Sequence, residues 1–228
     1  MLWFLQPGVT LETVFMRVLS VLVIILLVLP LHECAHAWVA YRMGDSTAKN
    51  RGRLTLNPLP SIDPIGALCI LLFGFGWAKP VPVDSRYFTK NAKAKMALTA
   101  LAGPVSNLLA AFVGALIFYL IAFLTGYSTS VIMSYVATFF LYYITININL
   151  AVFNLIPLPP LDGSRILGAF LSDRALRTYY RYQNVFVMLM FVLLLTGALS
   201  GPLGIVQNFF YRIIITLAKL PFQLFGAI

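Results

Sequence analysis

Two histidines and a glutamate carry the first chemical signal in this sequence. They stand together in LPLHECAHAWVAY, residues 29–41, and the 228-residue chain has no other histidine. His32 and His36 are four residues apart, so on a helix their imidazoles share one face, one turn from each other. That spacing lets two nitrogens reach one tetrahedral Zn²⁺. Glu33 lies about 100° around the axis from His32, where it can act on a water at the metal without joining the ligands. Two ligands and a general base in HExxH order suit metal-assisted hydrolysis. The competing reading is a chance pentapeptide. It is weakened because both histidines of the chain fall in it, and because an unpartnered glutamate in an apolar run is costly.

A catalytic zinc takes three protein ligands and keeps one position open. With no third histidine, the candidates are Glu12, Asp45, Asp63, Asp84, Asp162 and Asp173. Asp162 follows a long apolar run in NLIPLPPLDGSR, residues 154–165. Its prolines make this stretch non-helical, and such backbone is tolerated at membrane depth only when buried in protein or facing water. The competing reading is a solvated turn aspartate, PLDG. Asp63, in SIDPIG, comes second, although Asp-Pro is itself a turn starter. Asn154 could hydrogen-bond substrate or a developing oxyanion. An interhelical hydrogen bond explains it more simply, as it does Asn107, Asn147 and Asn149.

The elements that must position these residues are membrane-spanning. The sequence is 61% hydrophobic with a mean hydropathy of +0.91, and 10% charged, against about 25% in soluble domains. Uncharged or nearly uncharged runs at 18–41, 96–125, 130–156 and 183–200 read as spans. Residues 203–227 read as a fifth, with Arg212 and Lys219 on one face. The expectation is an all-α polytopic membrane protein, a bundle of about five transmembrane helices forming a single domain over 1–228. Its catalytic core would cover about 18–170, with C-terminal helices over about 183–228. Between the first two spans, residues 65–77 are too short to cross. The prolines of KPVPV suit an edge strand, because Pro80 and Pro82 cannot donate to a ladder. A short membrane-associated β-hairpin or re-entrant segment is expected there. The opening MLWFLQPGVTLETVF lacks the basic start and cleavage site of a signal peptide. Cys34 and Cys69 read as small buried hydrophobes.

Charge sets the expected orientation. Thirteen of the sixteen basic residues fall in three stretches: Arg42 to Arg53, Lys79 to Lys95, and Arg165 to Arg181. The positive-inside rule puts these loops in the cytoplasm and the N-terminus outside. The net charge of +9 then reflects loop bias and attraction to anionic lipid, and nucleic acid is not an expected partner. His32 lies ten residues before Arg42, about 15 Å along a helix, so the site sits within the bilayer toward the cytoplasmic side. Pro30 is expected to kink or loosen the helix there.

HECAH in the first span, with NLIPLPPLDG after a later one, resembles the site-2 protease family of intramembrane zinc metalloproteases. The TLNP…DPIG and GWAKPVPV stretches are similar to its short bacterial members, and the likeness covers roughly residues 20–170. The resemblance implies that His32, His36 and Asp162 bind Zn²⁺, that Glu33 is the catalytic base, and that Asn154 contributes to substrate or oxyanion binding. Gly103, Pro104 and Asn107, in GPVSN, look like the family's packing segment on the second core helix. The likeness also implies a membrane-spanning protein substrate, such as an anti-sigma factor-like regulator, and a place in a bacterial cytoplasmic membrane. The sequence departs from the family in having no stretch for a PDZ domain, and in Ser61, where many short members have histidine. Two other classes compete. A structural zinc would need a fourth protein ligand, and a transporter using the His/Glu/Asp cluster would usually show internal repeats. The sequence shows neither.

Overall fold

The computed structural model describes residues 10–73, 77–126 and 129–224. Helix α1 runs Leu11–Arg42 and carries HECAH near its C-terminal end. Thr10 caps it by accepting from the Thr13 N–H at 3.2 Å. The helix is not regular throughout: Ile24–Val28 forms a π-helical turn, and the Leu29 N–H donates to the Ile24 carbonyl, five residues back. Pro30 follows at once. Its missing N–H and ring disturb the preceding turn, which accounts for the widening expected near this proline.

Helix α2 (Pro64–Phe73) is ten residues long, about 15 Å, and cannot cross a bilayer. Helices α3 (Ala92–Leu124) and α4 (Val131–Asn154) are 33 and 24 residues. Small residues on α3, Ala110, Ala111, Gly114 and Ala115, let neighbouring helices approach closely. Ala111 and Ala115 are buried with Ile144, Ile148 and Val152 of α4. Ala110 closes a second core with Val21, Ile24, Ile25 and Val28 of α1 and Ile70 of α2. Short helices α5 (Asp162–Gly168), α6 (Asp173–Arg181) and α7 (Gln183–Leu195) follow, and then α8 (Ser200–Leu224). Ile214 and Ala218 of α8 complete the α3–α4 core.

Two expectations are corrected. Four helices, not five, are long and apolar enough to span among the described residues: α1, α3, α4 and α8. The expected span 183–200 breaks at a turn where Gly197 has φ +71°. That leaves α7 with 13 residues, about 20 Å, against a hydrocarbon core of about 30 Å. Residues 201–202, between the two expected spans, lie in the first turn of α8, where a proline is tolerated. The β-hairpin is not supported either: no strand occurs among the described residues. Trp77–Asp84 has no regular secondary structure and makes no ladder. Pro80 and Pro82 have no N–H, while the N–H groups of Lys79 and Val81 are committed to the Ser61 carbonyl and to Glu33. The tip of the expected hairpin, residues 74–76, lies outside the described residues, as do 225–227 of the last expected span.

Leu27, Leu109, Val113 and Ile205 are all more than half exposed. Such a coat of large apolar side chains marks a surface that faces something other than water, and with four spanning-length helices it makes this a multi-pass membrane protein.

Candidate metal centre

The three residues expected to hold a metal come together from two elements far apart in sequence. His32 Nε2 and His36 Nε2, one turn apart on α1, are 3.0 Å from each other. Asp162 Oδ2, at the start of α5, is 3.3 Å from the first and 3.2 Å from the second. Ligands at about 2.0–2.1 Å from a tetrahedral zinc lie about 3.3–3.4 Å apart, so this triangle fits one such ion. Both histidines are buried, and Asp162 is nearly so.

Hydrogen bonding fixes which imidazole nitrogens face the centre. His36 Nδ1 lies 2.7 Å from the Thr99 carbonyl. A carbonyl only accepts, so Nδ1 carries the proton and Nε2 keeps its lone pair. His32 Nδ1 likewise donates to Asn107 Oδ1 at 2.9 Å. Asn107 is fully buried, and its Nδ2 has no partner among the described residues. Its amide is thus held with the oxygen toward His32 at the expense of its own donor. Two lone pairs and a carboxylate oxygen then converge on one point, a donor set that suits a divalent cation.

The backbone permits this convergence at two glycines. A Cβ on Gly103 of α3 would lie 2.4 Å from His36 Nε2 and 2.5 Å from His32 Nε2. Only a residue without a side chain lets α3 back onto the pair. A Cβ on Gly163 would lie 2.3 Å from the Leu155 carbonyl oxygen, so the glycine after Asp162 lets α5 seat on the end of α4.

Glu33 stands beside the triangle without belonging to it. It is buried, and its Oε2 accepts from the Val81 N–H at 3.0 Å. The segment that supplies this N–H is pinned in turn. Lys79 N–H donates to the Ser61 carbonyl at 2.9 Å, and Arg53 Nη2 donates to the Lys79 carbonyl at 2.5 Å. Farther along, Asp84 N–H donates to Asp45 Oδ2 at 2.7 Å. Asp45 is fully buried, and its other oxygen accepts from the Thr47 N–H. In the loop beyond, Arg86 grips the Asp84 carboxylate and holds its pKa down at about 2.

His32, Glu33, His36, Asn154, Asp162 and Arg165 line one cavity of about 280 Å³, roofed by Trp77, Ala78, Pro80 and Val81. Asn154 donates through Nδ2 to the Leu150 carbonyl at 2.9 Å, which leaves its side-chain oxygen as the group available to the cavity. Asp63 does not join the site. Its Oδ1 caps α2, accepting from the N–H groups of Ile65 and Gly66. Sequence reasoning missed Asn107 as the partner of His32. Its signal was the four-residue step from Gly103, which puts both on one face of α3. The Thr99 carbonyl and Val81 N–H are backbone groups and leave no mark in residue type.

A helical membrane bundle with a buried His–His–carboxylate centre and an adjoining glutamate defines a class, and comparison with known proteins gives the family. Residues 120–197 match Peptidase family M50. The chain is 49% identical over 140 residues to the Bacillus subtilis protein named "Putative zinc metalloprotease YwhC", which covers 60% of this chain and 62% of that protein. It is 33% identical over 181 residues to "Putative zinc metalloprotease Rip2" of Mycolicibacterium smegmatis, covering 77% of this chain and 66% of the relative. The match to Rip2 of Mycobacterium tuberculosis is 32% over 170 residues. These matches therefore span a little under two thirds of the relatives' own length. No solved structure matches. The chain is a member of peptidase family M50, the site-2 protease family.

Proposed function

We propose that this protein is an intramembrane zinc endopeptidase that hydrolyses a peptide bond in or beside the transmembrane segment of another membrane protein. The observation that carries the reading is the 3.0–3.3 Å triangle of His32 Nε2, His36 Nε2 and Asp162 Oδ2 beside Glu33 in one cavity. His32, His36 and Asp162 would hold Zn²⁺, as the names of the relatives suggest. The ion would supply Lewis-acid polarisation of the scissile carbonyl and acidify a water. Glu33 takes a proton from the attacking water and delivers it to the departing amine. The Val81 N–H holds one of its oxygens, leaving the other to handle that proton. Asn107 and Thr99 fix the two imidazoles through their far nitrogens. Asn154 offers a polar contact to the substrate backbone from the wall of the same cavity.

The substrate helix must unwind, because an intact helix keeps its carbonyls in hydrogen bonds. Along Trp77–Asp84 the unwound chain meets backbone short of donors, so it pairs there mainly through its own N–H groups. The basic loops favour the cytoplasmic membrane, with the site toward the cytoplasmic face. A membrane-anchored regulator of the anti-sigma type is the substrate we favour, released by regulated intramembrane proteolysis. Glu33→Gln tests the core of the proposal. It should retain zinc, measured per chain in detergent, and lose cleavage of a single-span substrate. Full activity in that variant overturns the assignment.

A further inference from the structure

Arg165 lies one helical turn beyond Asp162 on α5 and is half-buried in the wall of the metal-site cavity. It also lines a neighbouring cavity of about 230 Å³ between the start of α3, α5 and α6, together with Lys93, Leu176 and Tyr180. Three other basic groups near the site are engaged. Arg53 donates to the Lys79 carbonyl, Arg86 pairs with Asp84, and Lys93 pairs with Asp173 at 2.6 Å. The Arg165 guanidinium makes no ion pair or hydrogen bond with any described residue. It is a half-buried cation, with five donors and no acceptor, facing the place where the chemistry is proposed to occur.

The charge of the cavity says what it would take. Its titratable lining is His32, Glu33, His36, Asp162 and Arg165. With neutral imidazoles, the two carboxylates balance a bound divalent cation, and Arg165 leaves one positive charge in excess. Peptide hydrolysis turns a neutral amide and a water into a carboxylate and an ammonium group. The water oxygen stays on the carboxylate, and both water protons finish on the amine. The reaction is neutral overall, and its carboxylate half arises in a cavity with one surplus positive charge, beside a guanidinium whose fork matches a carboxylate. An acidic side chain next to the cleaved bond would meet the same group.

Building on the proteolytic reading, we infer that Arg165 is a carboxylate-binding residue of the substrate channel, taking either the α-carboxylate released by the cut or an acidic side chain beside it. The wall it shares with the outer cavity puts it between the metal site and the basic surface formed by α6.

The test is competitive binding to the zinc-loaded protein in detergent. Three apolar peptides share one sequence: one ends in a free carboxylate with no acidic residue, one ends in an amide and carries a single glutamate, and one ends in an amide with no acid. Zinc content and cleavage of a single-span substrate are measured alongside. The wild type should bind at least one of the first two roughly ten- to a hundredfold more tightly than the third, as expected of charge-assisted hydrogen bonds. Preference for the free carboxylate alone names the released terminus, and preference for the glutamate peptide alone names the side chain. Arg165→Gln should abolish most of the preference with zinc retained, and Arg165→Lys should keep part of it. Arg165→Met takes the place of the glutamine variant if the latter does not hold zinc. No preference in the wild type, or an undiminished one without the guanidinium, overturns the inference. A wild type that cleaves its substrate without any preference defeats this inference alone, and one that shows the preference but cleaves nothing defeats the proteolytic reading.

Discussion

Gly103→Ala is the sharpest probe of how the metal centre is built. The added Cβ would sit 2.4–2.5 Å from three imidazole atoms, His36 Nε2, His32 Cε1 and His32 Nε2, where ordinary contact begins at 3.4 Å. The overlap is about 1 Å. Relief requires both imidazoles to swing away from α3, or α3 to move outward and take the Asn107 and Thr99 contacts with it. Metal sites tolerate ligand displacements of about 0.2 Å, so either route breaks the triangle. Overpacking of this kind typically costs about 1–3 kcal/mol in stability. The loss of zinc affinity should exceed the ten- to hundredfold seen when only an outer partner of a ligand is removed. The assay is zinc affinity by competition with a chromophoric chelator on purified protein, with helical content followed by circular dichroism. Gly204→Ala on α8 is the control, since nothing lies within 4 Å of its Cβ position. It should hold zinc like the wild type. If Gly103→Ala keeps both wild-type affinity and wild-type activity, the close approach of α3 does not govern the site.

Asn107→Leu removes the acceptor of the His32 Nδ1 proton and should weaken zinc binding ten- to a hundredfold while the bundle stays folded; the same chelator competition checks it. Asp45→Ala strips a fully buried cap from the Thr47 and Asp84 N–H groups. It should lower stability by about 1–3 kcal/mol, read from denaturant or thermal unfolding in detergent, and should loosen Trp77–Asp84, with kcat falling more than zinc content.

The chemistry-bearing residues were legible because their types are rare in this setting. With two histidines in the chain, HECAH had little else to be, and the structure brings Asp162 within 3.3 Å of both imidazoles. Asp162 could be separated from Asp63 only in part by reading, since both sit in proline turns; the fold brings Asp162 to the histidines and gives Asp63 the N-terminus of α2 to cap. The span over 183–200 misled because hydropathy adds up along a sequence and does not register a single glycine in the left-handed region. Gly197 stops α7 one to two turns short of a crossing. The hairpin misled for the opposite reason. Alternation and prolines suggested short strands, but a ladder needs free donors on a partner, and here Lys79 and Val81 spend theirs on Ser61 and Glu33. Thr99 and Val81 act through the main chain, to which any side chain would be compatible.

The widened turn at Ile24–Val28 has a consequence for how this helix tolerates change in length. A π turn holds one residue more than the α-helix would use over the same rise. Dropping a single residue from the outer part of α1 can be absorbed by tightening that turn, and the two imidazoles keep their heading toward Asp162. The same deletion between His32 and His36 has no such slack to draw on and would turn one histidine about 100° away from the other.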